Sequence, residues 1–142
     1  MTTLLGPSAP GEGVPPEHVA AVRHVLRTLG REPAGQPAPV PNSAVNANYH
    51  VPAHGGDLFV RLHPHTRTQE RVLLEQRAAA FAGERGLPVV RPLADGAGHT
   101  CWRAGGVLVS AFPWLEGRLL VRGCITPAEA ADLGRLQARA HS

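Results

Sequence analysis

Arg61 is the single charge inside an apolar run, Leu58-Phe59-Val60-Arg61-Leu62. If that run is a strand, successive side chains point to opposite faces, so Arg61 shares a face with Phe59 while Leu58, Val60 and Leu62 face the other way. One strand then offers a flat aromatic ring and a guanidinium side by side. That combination suits a ligand with a planar ring and a cluster of negative charges, which needs a fixed cation. To keep its orientation Arg61 needs a counter-charge, and Glu75, beside the apolar face of the next helix, is the candidate. The plain alternative is a solvated Arg61 at the end of an edge strand and a Glu75 that is an ordinary helix-surface residue.

The elements that must position these residues are legible as a pattern. Residues 1–16 carry Gly6, Pro7, Pro10, Gly11, Gly13, Pro15 and Pro16 and read as an extended tail. Residues 17–30 read as a helix, with Val19, Val22, Leu26 and Leu29 at three- and four-residue steps and Gly30 as its stop. The prolines of 31–41 leave room for only a short strand near 38–40. Tyr49 and Val51 alternate with Asn48 and His50, Gly55-Gly56-Asp57 makes a turn, and residues 58–62 return as the second strand of a hairpin. Thr66 and Gln69 have capping-box spacing, opening a helix to about Arg85 with Leu74, Ala78 and Phe81 on one face. Residues 89–93, 99–103 and 107–112 read as three further strands. After a loop over 113–123, Thr126, Pro127 and Glu129 supply a cap, a first-turn proline and a capping-box glutamate, and Ala130, Leu133, Leu136 and Ala140 mark the buried face of a last helix. Strands joined by hairpins and one helical excursion predict an α+β domain, an antiparallel sheet with a helix packed on it.

Bulk composition excludes several classes. At 142 residues the chain suits one domain, and its formal net charge of +3 is spread rather than clustered. No basic stripe interleaved with aromatics marks a nucleic-acid binder. The first residues show neither a basic segment nor a long apolar one, and no run is long enough to span a membrane, so a cytoplasmic protein is expected. Cys101 and Cys124 have no metal-ligand spacing. Of the eight histidines, His63 and His65 are the densest pair, but no third ligand stands at a matching interval, so no metal site is expected.

Several local stretches, taken in order, resemble the aminoglycoside phosphotransferase/homoserine kinase family, which shares the protein-kinase-like fold. Asn46-Ala47-Asn48-Tyr49-His50-Val51 is similar to that family's first hairpin, and Asp57-Leu58-Phe59-Val60-Arg61-Leu62 to its third strand. Glu75 precedes Gly86-Leu87-Pro88-Val89 by eleven residues, much as the family's helix glutamate precedes its G-L-P-V-P-like turn. Phe112-Pro113-Trp114-Leu115-Glu116-Gly117 resembles the hinge, and residues 133–141 resemble the L-G-x-x-L-A-x-L-H helix that leads into the large lobe. The resemblance covers roughly residues 40–141.

The resemblance implies the N-terminal, small lobe of an enzyme that transfers the γ-phosphate of ATP to a hydroxyl on a small molecule. It implies a sheet of about five antiparallel strands with a long helix packed on it, plus N- and C-terminal helices. Residues 31–117 would form the nucleotide-binding lobe and 118–142 the linker and first helix of a large lobe. Phe59 would stack on adenine, Arg61 would reach phosphate, and Glu75 would clamp Arg61 as in the Lys–Glu pair of kinases. Ser43, in the loop over 41–47, would cover phosphate with its hydroxyl and backbone N–H, although the loop lacks the glycine many members carry. At the hinge, Phe112 would back the pocket, the Pro113 carbonyl would accept, the Leu115 N–H would donate, and Trp114 would be an apolar wall.

The family's catalytic H-G-D-x-x-x-x-N loop has no counterpart here. His54-Gly55-Gly56-Asp57 is the nearest string, and its spacing is wrong. No catalytic residue is expected in the chain. Mg²⁺ is expected only with the large lobe, and apolar surface around Trp114, Leu115, Leu133 and Leu136 predicts self-association. The competing readings are a non-catalytic nucleotide-binding module and a plain α+β interaction domain, the latter with Arg61 and Glu75 far apart.

Overall fold

The structure is a computed structural model and describes residues 13–41, 45–118, 120 and 123–142. Most of the expected tail and Ser43 lie outside the described residues. The described chain is α+β. Helix α1 (Pro16–Thr28) comes first, then strands β1 (Ala38–Pro39), β2 (Ala47–Val51) and β3 (Leu58–His63). Helix α2 (Gln69–Glu84), strands β4 (Trp102–Ala104) and β5 (Val107–Pro113), and helix α3 (Pro127–Ala140) follow. The strands form one five-stranded sheet in the order β1-β2-β3-β5-β4, antiparallel at every pairing. This is the architecture of a kinase-like small lobe.

Alternation along β3 divides the sheet into two unlike faces. Leu58, Val60 and Leu62 are buried, and with Tyr49, Val51, Val109 and Ala111 they meet Ala21, Val22, Val25 and Leu26 of α1. This is the main core, and area removed from water is its driving force. One polar contact sits at its edge: His18 Nδ1 and the Tyr49 hydroxyl are hydrogen-bonded at 2.6 Å. Burial holds the His18 imidazole below its ordinary basicity and pushes the Tyr49 phenol up, so both partners favour their neutral forms. The other face is thinner. There α2 contributes Val72 to a small cluster with Cys101 and Leu108. Both cysteines are free, and burial raises the Cys101 thiol away from reactivity.

Four local expectations are corrected. Residues 89–93 form no strand; their one ladder-like bond is Leu93 N–H to the Ala111 carbonyl at 2.8 Å, and Pro88 and Pro92 have no N–H to give. In its place β1 completes the sheet. Helix α2 is capped by Thr68, whose hydroxyl accepts from Arg71 N–H at 3.2 Å, rather than by Thr66. The stripe of Leu74, Ala78 and Phe81 faces solvent, with Leu74 54% and Phe81 56% exposed, and the Arg85 guanidinium lies 3.5 Å over the Phe81 ring. The sheet meets the neighbouring stripe of Val72, Leu73 and Gln76 instead. Helix α3 has the expected capping box between Thr126 and Glu129 but buries none of its residues, and Leu133 is 45% exposed. Arg139 donates to the Gly86 carbonyl at 2.6 Å and Arg118 pairs with Glu129, so α3 is held by polar contacts.

Candidate functional site

The face of β3 turned away from α1 carries Phe59, Arg61 and His63. Register sets their neighbours. Asn48 and His50 of β2 lie opposite Arg61 and Phe59, and Leu108, Ser110 and Phe112 of β5 lie opposite His63, Arg61 and Phe59. A cleft of about 830 Å³ opens there. Phe59, Arg61, Phe112, Pro113 and Leu115 line it, together with Trp114, His50 and Val90. These five expected site residues are thus brought together. Glu75 is not among the lining residues.

Arg61 is half-buried against aromatic rings. Its guanidinium carbon is 5.5 Å from the centroids of both Phe59 and Phe112, within cation–π range. Its Nε–H donates to Asn48 Oδ1 at 3.3 Å. Burial lowers its pKa, the Glu75 charge opposes that and Arg67 adds to it, but a guanidinium stays protonated throughout.

The expected Arg61–Glu75 ion pair does not form. The Glu75 carboxylate pairs with Arg67, and Arg71 Nε stands 4.0 Å from it. Both competitors are closer along the chain than Arg61, so less backbone must be ordered to bring the charges together. Glu75 nevertheless remains near enough for Arg61 to feel its charge, so the two are not remote either. Among the described residues Arg61 makes no ion pair, and its orientation comes from an amide oxygen and two rings.

Beside Arg61 a polar chain ties the sheet to α2. His63 Nε2 and the Ser110 hydroxyl are 3.0 Å apart, Gln76 Nε2 reaches the same hydroxyl at 3.4 Å, and Gln76 also bonds Thr100. Burial, then the charges of Arg61 and Arg67, push the His63 pKa down to about 4. His63 is therefore neutral at pH 7, and its partner is a serine. Among the described residues no group of three His, Cys, Asp or Glu side chains converges in a way that would hold a metal.

At the end of β5 the backbone is arranged for an edge contact. Trp114 N–H donates to the Asp57 carbonyl at 3.0 Å, continuing the β3–β5 ladder by one pair. Antiparallel ladders alternate, so the Pro113 carbonyl turns away from β3. Among the described residues the Leu115 N–H has no hydrogen-bond partner, and Leu115 is 61% exposed. Among the described residues an acceptor and a donor two residues apart are thus without partners at the rim of the cleft. The Trp114 indole is stacked on His50 with centroids 4.0 Å apart and donates to Glu116 Oε1 at 3.0 Å.

Sequence reasoning missed Asn48 as the partner of Arg61, and His50 as a lining residue. The signal was present. Both are polar residues at alternate positions of β2, and hairpin register places them opposite Arg61 and Phe59. The contributions of residues 38–41 and of Val90 come from distant segments and left no such trace.

Comparison with known proteins agrees with the fold. The crystal structure of spectinomycin phosphotransferase, APH(9)-Ia, in complex with ADP and spectinomycin, superposes with a TM-score of 0.67 at 10% sequence identity, over 92% of this chain. The chain spans only 38% of that protein's length. No curated protein matches the sequence. The phosphotransferase enzyme family, APH, matches residues 36–142. The chain therefore belongs to the phosphotransferase enzyme family.

Proposed function

We propose that this chain is the nucleotide-binding small lobe of an ATP-dependent phosphotransferase that moves the γ-phosphate to a hydroxyl on a small molecule. One observation carries the reading: Phe59, Arg61, Phe112 and residues 113–115 line a single cleft, with a ring, a fixed cation and a free backbone acceptor and donor within it. A purine can stack on Phe59 and present its edge to the Pro113 carbonyl and the Leu115 N–H, leaving the phosphates toward Arg61. The structural neighbour is in complex with ADP and spectinomycin, which supports a nucleotide and a small-molecule acceptor as ligands.

Phosphoryl transfer depends on positioning and on stabilising charge at the transferred group. Arg61 supplies one fixed positive charge. The remaining parts, an aspartate that orients the acceptor and the ligands for Mg²⁺, belong to a large lobe. His54-Gly55-Gly56-Asp57 does not replace them: Gly55 and Gly56 have φ of 85° and 126° in a hairpin turn, and the Asp57 carboxylate is engaged by His50 and the Ala53 N–H. The described residues offer no cluster that fits Mg²⁺, so no step is assigned to the metal. By itself the chain binds nucleotide and does not turn it over. Residues 31–117 are the proposed lobe and 118–142 the connection onward. No described helix is long and apolar enough to cross a membrane; a cytoplasmic site of action is part of the proposal. Exposed Leu115 and Leu133 support self-association of the chain when it is alone.

Isothermal calorimetry with ATP tests this reading. Heat of binding is expected for the wild-type chain and a weaker affinity for Arg61→Ala; no heat from the wild-type chain at millimolar ATP would sink the proposal.

A further inference from the structure

Asp57 sits at the hairpin turn before β3 and holds three groups at once. Its Oδ2 accepts from His50 Nε2–H at 2.8 Å, its Oδ1 accepts from the Ala53 N–H at 3.2 Å, and its carbonyl accepts from the Trp114 N–H at 3.0 Å. The bond from His50, then that from Ala53, keep the Asp57 carboxyl below the usual carboxylate range, so the carboxylate accepts and the imidazole donates. The His50 ring is thereby fixed in orientation. Trp114 lies on it, with centroids 4.0 Å apart and planes 28° from parallel. The indole is further restrained at its Nε1 by Glu116. Trp114 is also within 24° of parallel to Phe59, at 6.3 Å between centroids. His50, Phe59 and Trp114 all line the cleft.

The Trp114 N–H is spent on Asp57, so this residue has no backbone donor to offer a ligand edge. Its indole is nevertheless held from three directions. A side chain that was merely an apolar wall would not need a hydrogen-bonded imidazole beneath it. A flat ligand lying along Phe59 would lie nearly parallel to the indole as well.

We propose that His50, oriented by Asp57, is a positioning residue for the purine end of the cleft. It holds the Trp114 indole in place, so that the base meets ring surface from Trp114 as well as from Phe59. The inference rests on the nucleotide reading above and extends it to two residues outside the strand of Arg61. At the phosphate end Arg61 is held by Asn48 and by the Phe59 and Phe112 rings; Phe59 is common to both ends, whereas the bonds of His50 and Asp57 are made at the Trp114 end. His50 and Asp57 therefore act through Trp114 on the base end of the cleft.

Titration with two separate probes tests it. Adenosine reports on the ring end and inorganic tripolyphosphate on the Arg61 end. His50→Leu is expected to weaken adenosine binding about three- to tenfold, the range of one aromatic contact, and to leave tripolyphosphate binding unchanged. Asp57→Asn should shift adenosine in the same direction by less. His50→Phe keeps a ring under the indole and should recover most of the wild-type affinity. Unchanged adenosine affinity in His50→Leu overturns the inference. So does an equal loss of both probes across the His50 and Asp57 variants, because that is what a purely structural role produces. If the wild-type chain binds neither adenosine nor tripolyphosphate, the nucleotide reading itself fails and takes the inference with it. Wild-type binding with no effect of His50→Leu removes the inference alone.

Discussion

The two faces of the sheet are cut from the same strands and differ in almost everything else. On the α1 side, Leu58, Val60 and Val109 are essentially without solvent contact and meet a helix that buries four residues against them. On the other side, Phe59 and Arg61 stand beside an open cleft, and α2 buries only Val72. The first face is a closed apolar contact whose worth is the area it removes from water. The second leaves ring faces and a guanidinium uncovered. Such an arrangement contributes less to stability and is available to a ligand. A period of two lets one strand serve both purposes without compromise at any single position.

Substitutions at adjacent residues should separate the two roles. The largest expected effect is Leu58→Ala, which leaves a cavity in the closed face and should cost about 2 to 5 kcal/mol in urea unfolding. A loss well below 1 kcal/mol would mean that α1 does not hold the core. Arg61→Ala should leave stability nearly unchanged and weaken ATP binding about 10- to 100-fold, the scale of a charge-assisted contact, as read by calorimetry. If both variants damaged folding alike, the division between the faces would be lost.

Acidity offers a smaller and directional test. Folded His63 takes up a proton only near pH 4, whereas the unfolded residue does so near 6.5. Between those values the unfolded state binds more protons, so stability falls as pH drops through that window. Arg61, Arg67, Glu75 and the Ser110 hydroxyl are the groups around it. His63→Gln should flatten that part of the profile, seen as a smaller difference between urea midpoints at pH 7 and pH 5 than in the wild type. The smallest effect concerns the helix over the open face: Thr68→Ala removes the cap of α2 and should cost about 1 kcal/mol, whereas Thr66→Ala should cost almost nothing.

Much of this was legible in the residues, and the failures have physical causes. The β2–β3 hairpin was readable because alternation and two turn glycines act within a few residues. The α3 capping box was readable because Thr126 and Glu129 need only each other. Where two local solutions were equally well spelled, the sequence could not choose, as with Thr66 and Thr68. The stripe containing Leu74 and Phe81 looked like a buried face because it is apolar, yet which stripe of a helix meets a sheet is settled by Val72 and Gln76 fitting the far side of β5. The Arg61–Glu75 pair failed for a further reason. Opposite charges signal that a contact is available, not which of several arginines takes it, and Arg67 and Arg71 are closer along the chain. The cleft's ring residues and hinge were identified from the strand pattern and the family resemblance, but its wall from residues 38–41 depends on long-range pairing that periodicity does not encode.

Both borders of the sheet are brief. One is β1, two residues long, ending in Pro39 and followed by Pro41; the other is β4, three residues long, beyond which Pro92 interrupts the bonding along β5. An incoming strand would find too few unsatisfied amides at either margin to extend the ladder. Any association driven by Leu115 or Leu133 would thus proceed through apolar side-chain contact and not by adding strands to the sheet.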